Sequence, residues 1–130
     1  MTHKIFLDTS ALVELIGGSR KGGNVLAAIK ASREVHSGFL NLYELWHLAC
    51  VRGGADFADS AVIGVKNHSR CSPPSEEACL LAAKLRSAYC GKGIGAVDFI
   101  TAASCIKLGA KLVTTDHDFA QIKELDAQIL

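Results

Sequence analysis

The sequence carries almost no net charge. Its 14 lysines and arginines stand against 13 aspartates and glutamates, a formal charge of +1. Bulk charge therefore cannot supply affinity for a polyanion, and any nucleic-acid contact has to come from a local patch. Aromatic residues make up 6%, too few to form a base-stacking platform. Tyr43 and Trp46 read instead as core or subunit-contact residues. No apolar run approaches the roughly 18 residues of a membrane span. Met1 to Leu7 contains a lysine and a histidine and is too short for the apolar segment of a secretory signal. The 5 cysteines are odd in number and lack CxxC spacing, so free thiols in a reducing cytoplasm are expected. The 5 histidines contain no HExxH pattern, and the cysteines no zinc spacing, which argues against a zinc site. The glycines around Lys92 do not form GxxxxGK[ST], which leaves a nucleotide P-loop unsupported.

What is present is an ordinary globular composition, 49% hydrophobic and 21% charged over 130 residues, suited to one domain spanning 1–130. Lys4 to Leu7 is a short apolar strand that runs into Asp8-Thr9-Ser10, three good helix-capping residues, and then a helix to Ile16 stopped by Gly17-Gly18. Further helices are expected over 20–32, 40–52, 56–68, 76–89 and 96–108, with a last short one at 119–124. Strands are expected over 34–37, 70–72, 111–115 and 128–130. Pro73-Pro74-Ser75, which holds both prolines, breaks the chain and caps the helix that follows. Leu40 to Arg52 is apolar on nearly every side, which predicts a sandwiched helix. Short buried strands alternating with helices imply an α/β fold with a parallel sheet covered on both faces.

Four acids carry the chemistry. In open α/β sheets functional groups gather beyond the carboxyl ends of the strands, and Asp8 and Asp116 each end a strand. Either alone is also a good helix cap. Asp98 lies in a first helical turn, where the dipole favours a carboxylate, but Val97, Phe99 and Ile100 around it suggest a position near the core. Glu44 has Leu40, Leu48 and Val51 as helical neighbours and no lysine or arginine one turn away; His47 is the only local candidate partner. A carboxylate in such surroundings needs a partner, either a distant cationic side chain or a metal. Four acids in one pocket raise each other's pKa values, and a hard divalent cation removes the conflict. An all-oxygen set suits Mg²⁺ or Mn²⁺, ions that assist phosphodiester hydrolysis. Basic residues at the rim could meet phosphates, or be only solvated charges: Lys92 in the glycine-rich loop before Asp98, Arg20-Lys21 after the first helix, and a third group of Lys66, His68 and Arg70.

These segments resemble a known family. Ile5-Phe6-Leu7-Asp8-Thr9-Ser10-Ala11-Leu12 resembles the opening motif of PIN domains, and Asn41-Leu42-Tyr43-Glu44-Leu45 the helix with the family's second acid. Gly95-Ala96-Val97-Asp98-Phe99-Ile100-Thr101-Ala102-Ala103 is similar to the third motif, and Leu112-Val113-Thr114-Thr115-Asp116-His117-Asp118-Phe119 to the last. The small size resembles VapC-type toxins. The resemblance implies a three-layer α/β/α sandwich around a mostly parallel five-stranded sheet. It also implies Mg²⁺- or Mn²⁺-dependent cleavage of RNA, a homodimer, and an antitoxin that blocks the site. By motif position Asp8, Glu44, Asp98 and Asp116 carry over as metal-binding and catalytic acids, and Ser10 as a residue that hydrogen-bonds them. Asp118 is a supporting acid or a cap for the helix near Phe119. The competing readings are a PIN nuclease of RNA processing without an antitoxin, a protein-binding module whose acids are only caps, and a phosphatase of the haloacid dehalogenase type. The last needs an aspartate two residues after Asp8, where Ser10 stands.

Overall fold

The computed structural model describes residues 4–130; Met1, Thr2 and His3 lie outside the described residues. The chain opens with β1 (Lys4–Leu7), α1 (Thr9–Gly17), α2 (Arg20–Lys30), β2 (Glu34–Gly38) and α3 (Phe39–Gly53). It continues through α4 (Ala55–His68), β3 (Arg70–Ser72), α5 (Glu76–Ala88), α6 (Ala96–Leu108) and β4 (Lys111–Thr114). A 3-10 helix (His117–Gln121) and β5 (Ala127–Ile129) close it. All five strands are parallel, in the order β3-β2-β1-β4-β5. The order turns around at β1, and β1 pairs with β4 through Ile5↔Lys111, Phe6↔Leu112 and Leu7↔Val113. Asp8 and Asp116 thus stand just past the carboxyl ends of the two strands that flank the turnaround, where such sheets open a crevice.

Alternation along β1 divides the core. Ile5 and Leu7 face the α1–α4 layer, packed with Leu12, Val25, Leu45 and Val65. Phe6 faces the α5–α6 layer, packed with Leu85, Phe99, Leu112 and Phe119. The helix ends follow local chemistry. Ser19 and Ser75 cap α2 and α5 by accepting the N–H groups of Gly22 and Ala78, and α6 stops at Gly109, whose φ is 65°. All five cysteines are free. Among the described residues no helix is long and apolar enough to cross a membrane.

The expected sandwich around a parallel five-stranded sheet is present, every pairing in it parallel. Two other expectations need correction. The last helix begins at His117, two residues early, and is 3-10 in type, because the Asp116 side chain accepts the Asp118 N–H at 2.9 Å and starts the turn there. The third helix is not sandwiched. It buries Asn41, Leu45 and Ala49, while Tyr43 and Val51 are 71% and 73% exposed, and Trp46 lies outside, its Nε1 donating to Asp59 at 2.9 Å. Apolar composition all round a helix does not bury it when neighbours pack on one side only.

The α1–α2 crossing rests on one missing side chain. A Cβ at Gly22 would stand 2.2 Å from the Glu14 carbonyl oxygen, whereas one at Gly23 would meet nothing within 4 Å. Gly22→Ala should therefore destabilise the fold by at least about 2 kcal/mol through overpacking. Gly23→Ala, on the exposed face of the same helix, should stabilise it by up to about 1 kcal/mol. Urea denaturation of the pair checks this, and equal effects would contradict the close crossing.

Candidate active site

The mouth of the sheet is assembled around Asp8. It is 4% exposed and serves as N-cap of α1, its Oδ1 accepting the Ala11 N–H at 3.1 Å and the Ser10 hydroxyl at 2.8 Å. Its Oδ2 accepts the Thr114 hydroxyl at 3.0 Å. The same two hydroxyls hold the following loop: Ser10 Oγ accepts the Thr115 N–H and Thr114 Oγ1 the Asp116 N–H, each at 2.9 Å. One buried carboxylate and two hydroxyls thus fasten the end of β1 to the segment carrying Asp116.

The other acids come from separate elements. Asp98, in the first turn of α6, accepts the Gly95 N–H through Oδ2 at 3.4 Å. Glu44, on α3, accepts the Thr9 hydroxyl through Oε1 at 2.5 Å. Asp116 caps the 3-10 helix through Oδ1. Each leaves its other oxygen without a hydrogen-bond donor among the described residues. The cap reading and the site reading are therefore compatible, one oxygen serving each.

The electrostatics show that these groups share one region. Burial pushes Asp8 up from 3.8 to about 6, against the pull of Ser10, Ala11 and Thr114, and the charge of Asp98 adds to the rise. Asp98 is also raised, first by burial and then by the charges of Asp116, Glu44 and Asp118. The largest charge effects on Asp98 come from acids. Glu44 has no lysine, arginine or histidine within ion-pair distance among the described residues.

The structure alters several expectations. Glu44 is half-buried rather than enclosed, because Leu48 and Val51 are 42% and 73% exposed. Asp118 is not the cap of the last helix. That role belongs to Asp116, and Asp118 lies exposed in its first turn, close enough for its charge to act on Asp98. Lys92 is exposed in a loop fastened beside the same turn, since Gln121 Nε2 donates to the carbonyls of Lys92 and Asp118, both at 3.3 Å. Arg20 and Lys21 open α2, separated from Asp8 by the whole of α1, a rise of about 13 Å. Thr9, Asn41 and Thr114 escaped sequence reasoning; the only signal was the placing of threonines beside acids in the first and last motifs.

As they stand, no three His, Cys, Asp or Glu side chains among the described residues are arranged to hold a metal ion. The donor chemistry nevertheless fits a hard divalent cation. It is all oxygen, it has free carboxylate oxygens, and its members raise one another's affinity for protons.

The fold is an α/β domain with a wholly parallel sheet, and acids lie beyond the carboxyl ends of β1 and β4. The chain belongs to the PIN domain family, whose sequence model matches residues 5–125. No curated protein matches it significantly. Among solved structures it resembles VapBC2 from Rickettsia felis bound to a promoter DNA fragment, with 20% identity, 98% of each chain covered and a TM-score of 0.81. It also resembles VapC20 of Mycobacterium tuberculosis, a sarcin-ricin loop cleaving toxin, with 22% identity, 92% of this chain and 95% of that one covered, and a TM-score of 0.77. VapBC-1 from nontypeable Haemophilus influenzae gives 24% identity, 97% coverage of each chain and a TM-score of 0.77.

Asp8 imposes a pH dependence on the metal-free protein. Below about pH 4 it is protonated in both folded and unfolded chains. As pH rises to about 6 the unfolded carboxyl ionises first, the folded state holds more protons, and stability falls. The full cost, about 3 kcal/mol, is in place above that range. Urea denaturation without metal should show wild-type stability declining relative to Asp8→Asn between about pH 4 and pH 7. Parallel curves would mean that Asp8 titrates normally.

Proposed function

We propose that this chain, acting as one PIN domain, is a Mg²⁺- or Mn²⁺-dependent endoribonuclease and the toxin of a VapBC-type pair. The observation that carries the reading is that Asp98 feels the charges of Asp116 and Glu44 and acts in turn on Asp8, four acids carried after β4, on α3, on α6 and after β1. A protein-binding module whose acids are only caps has no need to bring four of them together, at the cost of raising two. The VapC20 structure, of a toxin that cleaves the sarcin-ricin loop, supports RNA as substrate.

Asp8, Glu44, Asp98 and Asp116 would hold the cation, which supplies positive charge to the phosphoryl oxygens and lowers the pKa of water at the site. Asp8 is held still by three donors, so it fixes where the reacting phosphate sits relative to the sheet. Asp116 and Asp98 would contribute the carboxylate oxygens that no donor among the described residues occupies. Ser10 keeps Asp8 and the Asp116 segment in register, and Asp118 adds negative charge at the rim. Lys92, in its fastened loop, would meet an RNA phosphate. Arg20 and Lys21 would meet the strand farther out.

The partners follow the same reading. An apolar groove of about 350 Å³ between α1 and the α3–α4 hairpin is lined by Val13, Ile16, Leu45, Leu48, Ala49 and Phe57, a surface that an antitoxin helix would cover. VapBC complexes among the similar structures support such a partner. The exposed Phe39 and Tyr43 suit self-association into a homodimer, and a toxin of this kind acts in the cytoplasm.

Purified protein should cleave RNA with Mg²⁺ or Mn²⁺ and stop on chelation. Asp98→Asn should lower the rate at least about 100-fold, near 3 kcal/mol of transition-state stabilisation, with an unchanged far-ultraviolet spectrum. Undiminished cleavage by that variant would remove Asp98 from the site. Expression should arrest growth, and the neighbouring small gene should relieve it. Cleavage without arrest would favour RNA processing.

A further inference from the structure

A relay of hydrogen bonds reaches Glu44 by way of Asn41, one turn earlier on α3, and Thr9 at the start of α1. Its hub is Asn41, 2% exposed. Asn41 Oδ1 accepts the Gly38 N–H at 3.2 Å. A backbone N–H needs an acceptor, so this contact fixes which end of the amide is oxygen. Nδ2 then donates both of its protons, to Thr101 Oγ1 and to Thr9 Oγ1, each at 3.1 Å. An amide nitrogen offers no lone pair, so Thr9 must be the acceptor there. The Thr9 hydroxyl has one proton left to give, and Glu44 Oε1 lies 2.5 Å away to take it, the short separation of a charge-assisted O–H···O⁻ bond. The direction of every link is therefore set from Gly38. The relay joins α6, α3 and α1, and Gly38 leaves room for it, since a Cβ there would stand 3.0 Å from Asn41 Oδ1.

We propose that Thr9 and Asn41 are positioning residues for Glu44, holding Oε1 so that Oε2 is presented to the divalent cation. This rests on the reading of Glu44 as a metal ligand. Glu44 is half-exposed on a helix and has no other hydrogen bond among the described residues. Its flexible side chain adopts one orientation only while the Thr9 proton selects it. The role differs from that of Ser10 and Thr114, which act on Asp8.

The test is calorimetric titration of the metal-free full chain with Mn²⁺, with RNA cleavage measured in parallel. Thr9→Val removes the hydroxyl and keeps the shape. It should weaken Mn²⁺ binding by about 10–100-fold, the usual effect of losing a group that orients a ligand, and raise the Mn²⁺ concentration for half-maximal cleavage in the same ratio. Thr9→Ser should restore most of the affinity. Asn41→Ala should weaken binding in the same direction, because the freed Thr9 hydroxyl can turn; should that variant fail to fold, the Thr9 pair decides. A role limited to stability would lower the melting temperature and leave Mn²⁺ affinity unmoved, which would overturn the proposal. Glu44→Gln separates the two claims. If it leaves Mn²⁺ binding unchanged, Glu44 is no ligand and the positioning role falls with it. If it weakens binding while Thr9→Val does not, only the positioning role fails.

Discussion

A carboxylate taken out of water at the end of β1 is the constraint around which this molecule is arranged. Asp8 would be intolerable there without donors, and three reach it, from the backbone of α1, from Ser10 and from Thr114. Meeting that requirement sets the start of α1, the approach of β4 and the path of the loop that follows, because the donating hydroxyls also accept the N–H groups of Thr115 and Asp116. Even so, Asp8 holds its proton more tightly than a free carboxyl does. The donors make burial possible without making the negative charge comfortable.

Much of the fold was legible because its punctuation is local. Asp8, Ser19 and Ser75 are capping residues at the starts of α1, α2 and α5, and Gly18 and Gly109 stop helices where the chain turns left-handed. The short runs of Ile5-Phe6-Leu7 and Leu112-Val113 are apolar because both faces of the sheet are covered. The helical wheel of α3 misled for a physical reason. Periodicity reports which residues share a face, and whether anything packs on that face depends on distant elements; here Tyr43 and Val51 stay largely exposed.

The acids were legible as residue types and places along the chain, less so in their surroundings. Asp8 and Asp116 follow from strand ends, and Asp98 from its motif. Glu44 was singled out on the supposition of apolar enclosure, whereas what distinguishes it is a hydroxyl 35 residues away in sequence. Thr9, Asn41 and Thr114 were missed for the same reason. Their side chains are ordinary capping or strand residues until the fold brings Thr114 to Asp8 and Asn41 to both Thr9 and Thr101. Solved structures at 20–24% identity share this fold across nearly the whole chain, which shows how little of the sequence outside core and caps the architecture requires.

The bond between Asp8 and Thr114 spans 106 positions of sequence, and that has a temporal consequence. Synthesis delivers Asp8 and Glu44 well before Asp116, with β4 the strand that must slot beside β1. A nascent or truncated chain holds half of the acids and none of the clasp that aligns them. Any chemistry belonging to the four together is withheld until β4 has been made and the sheet has closed.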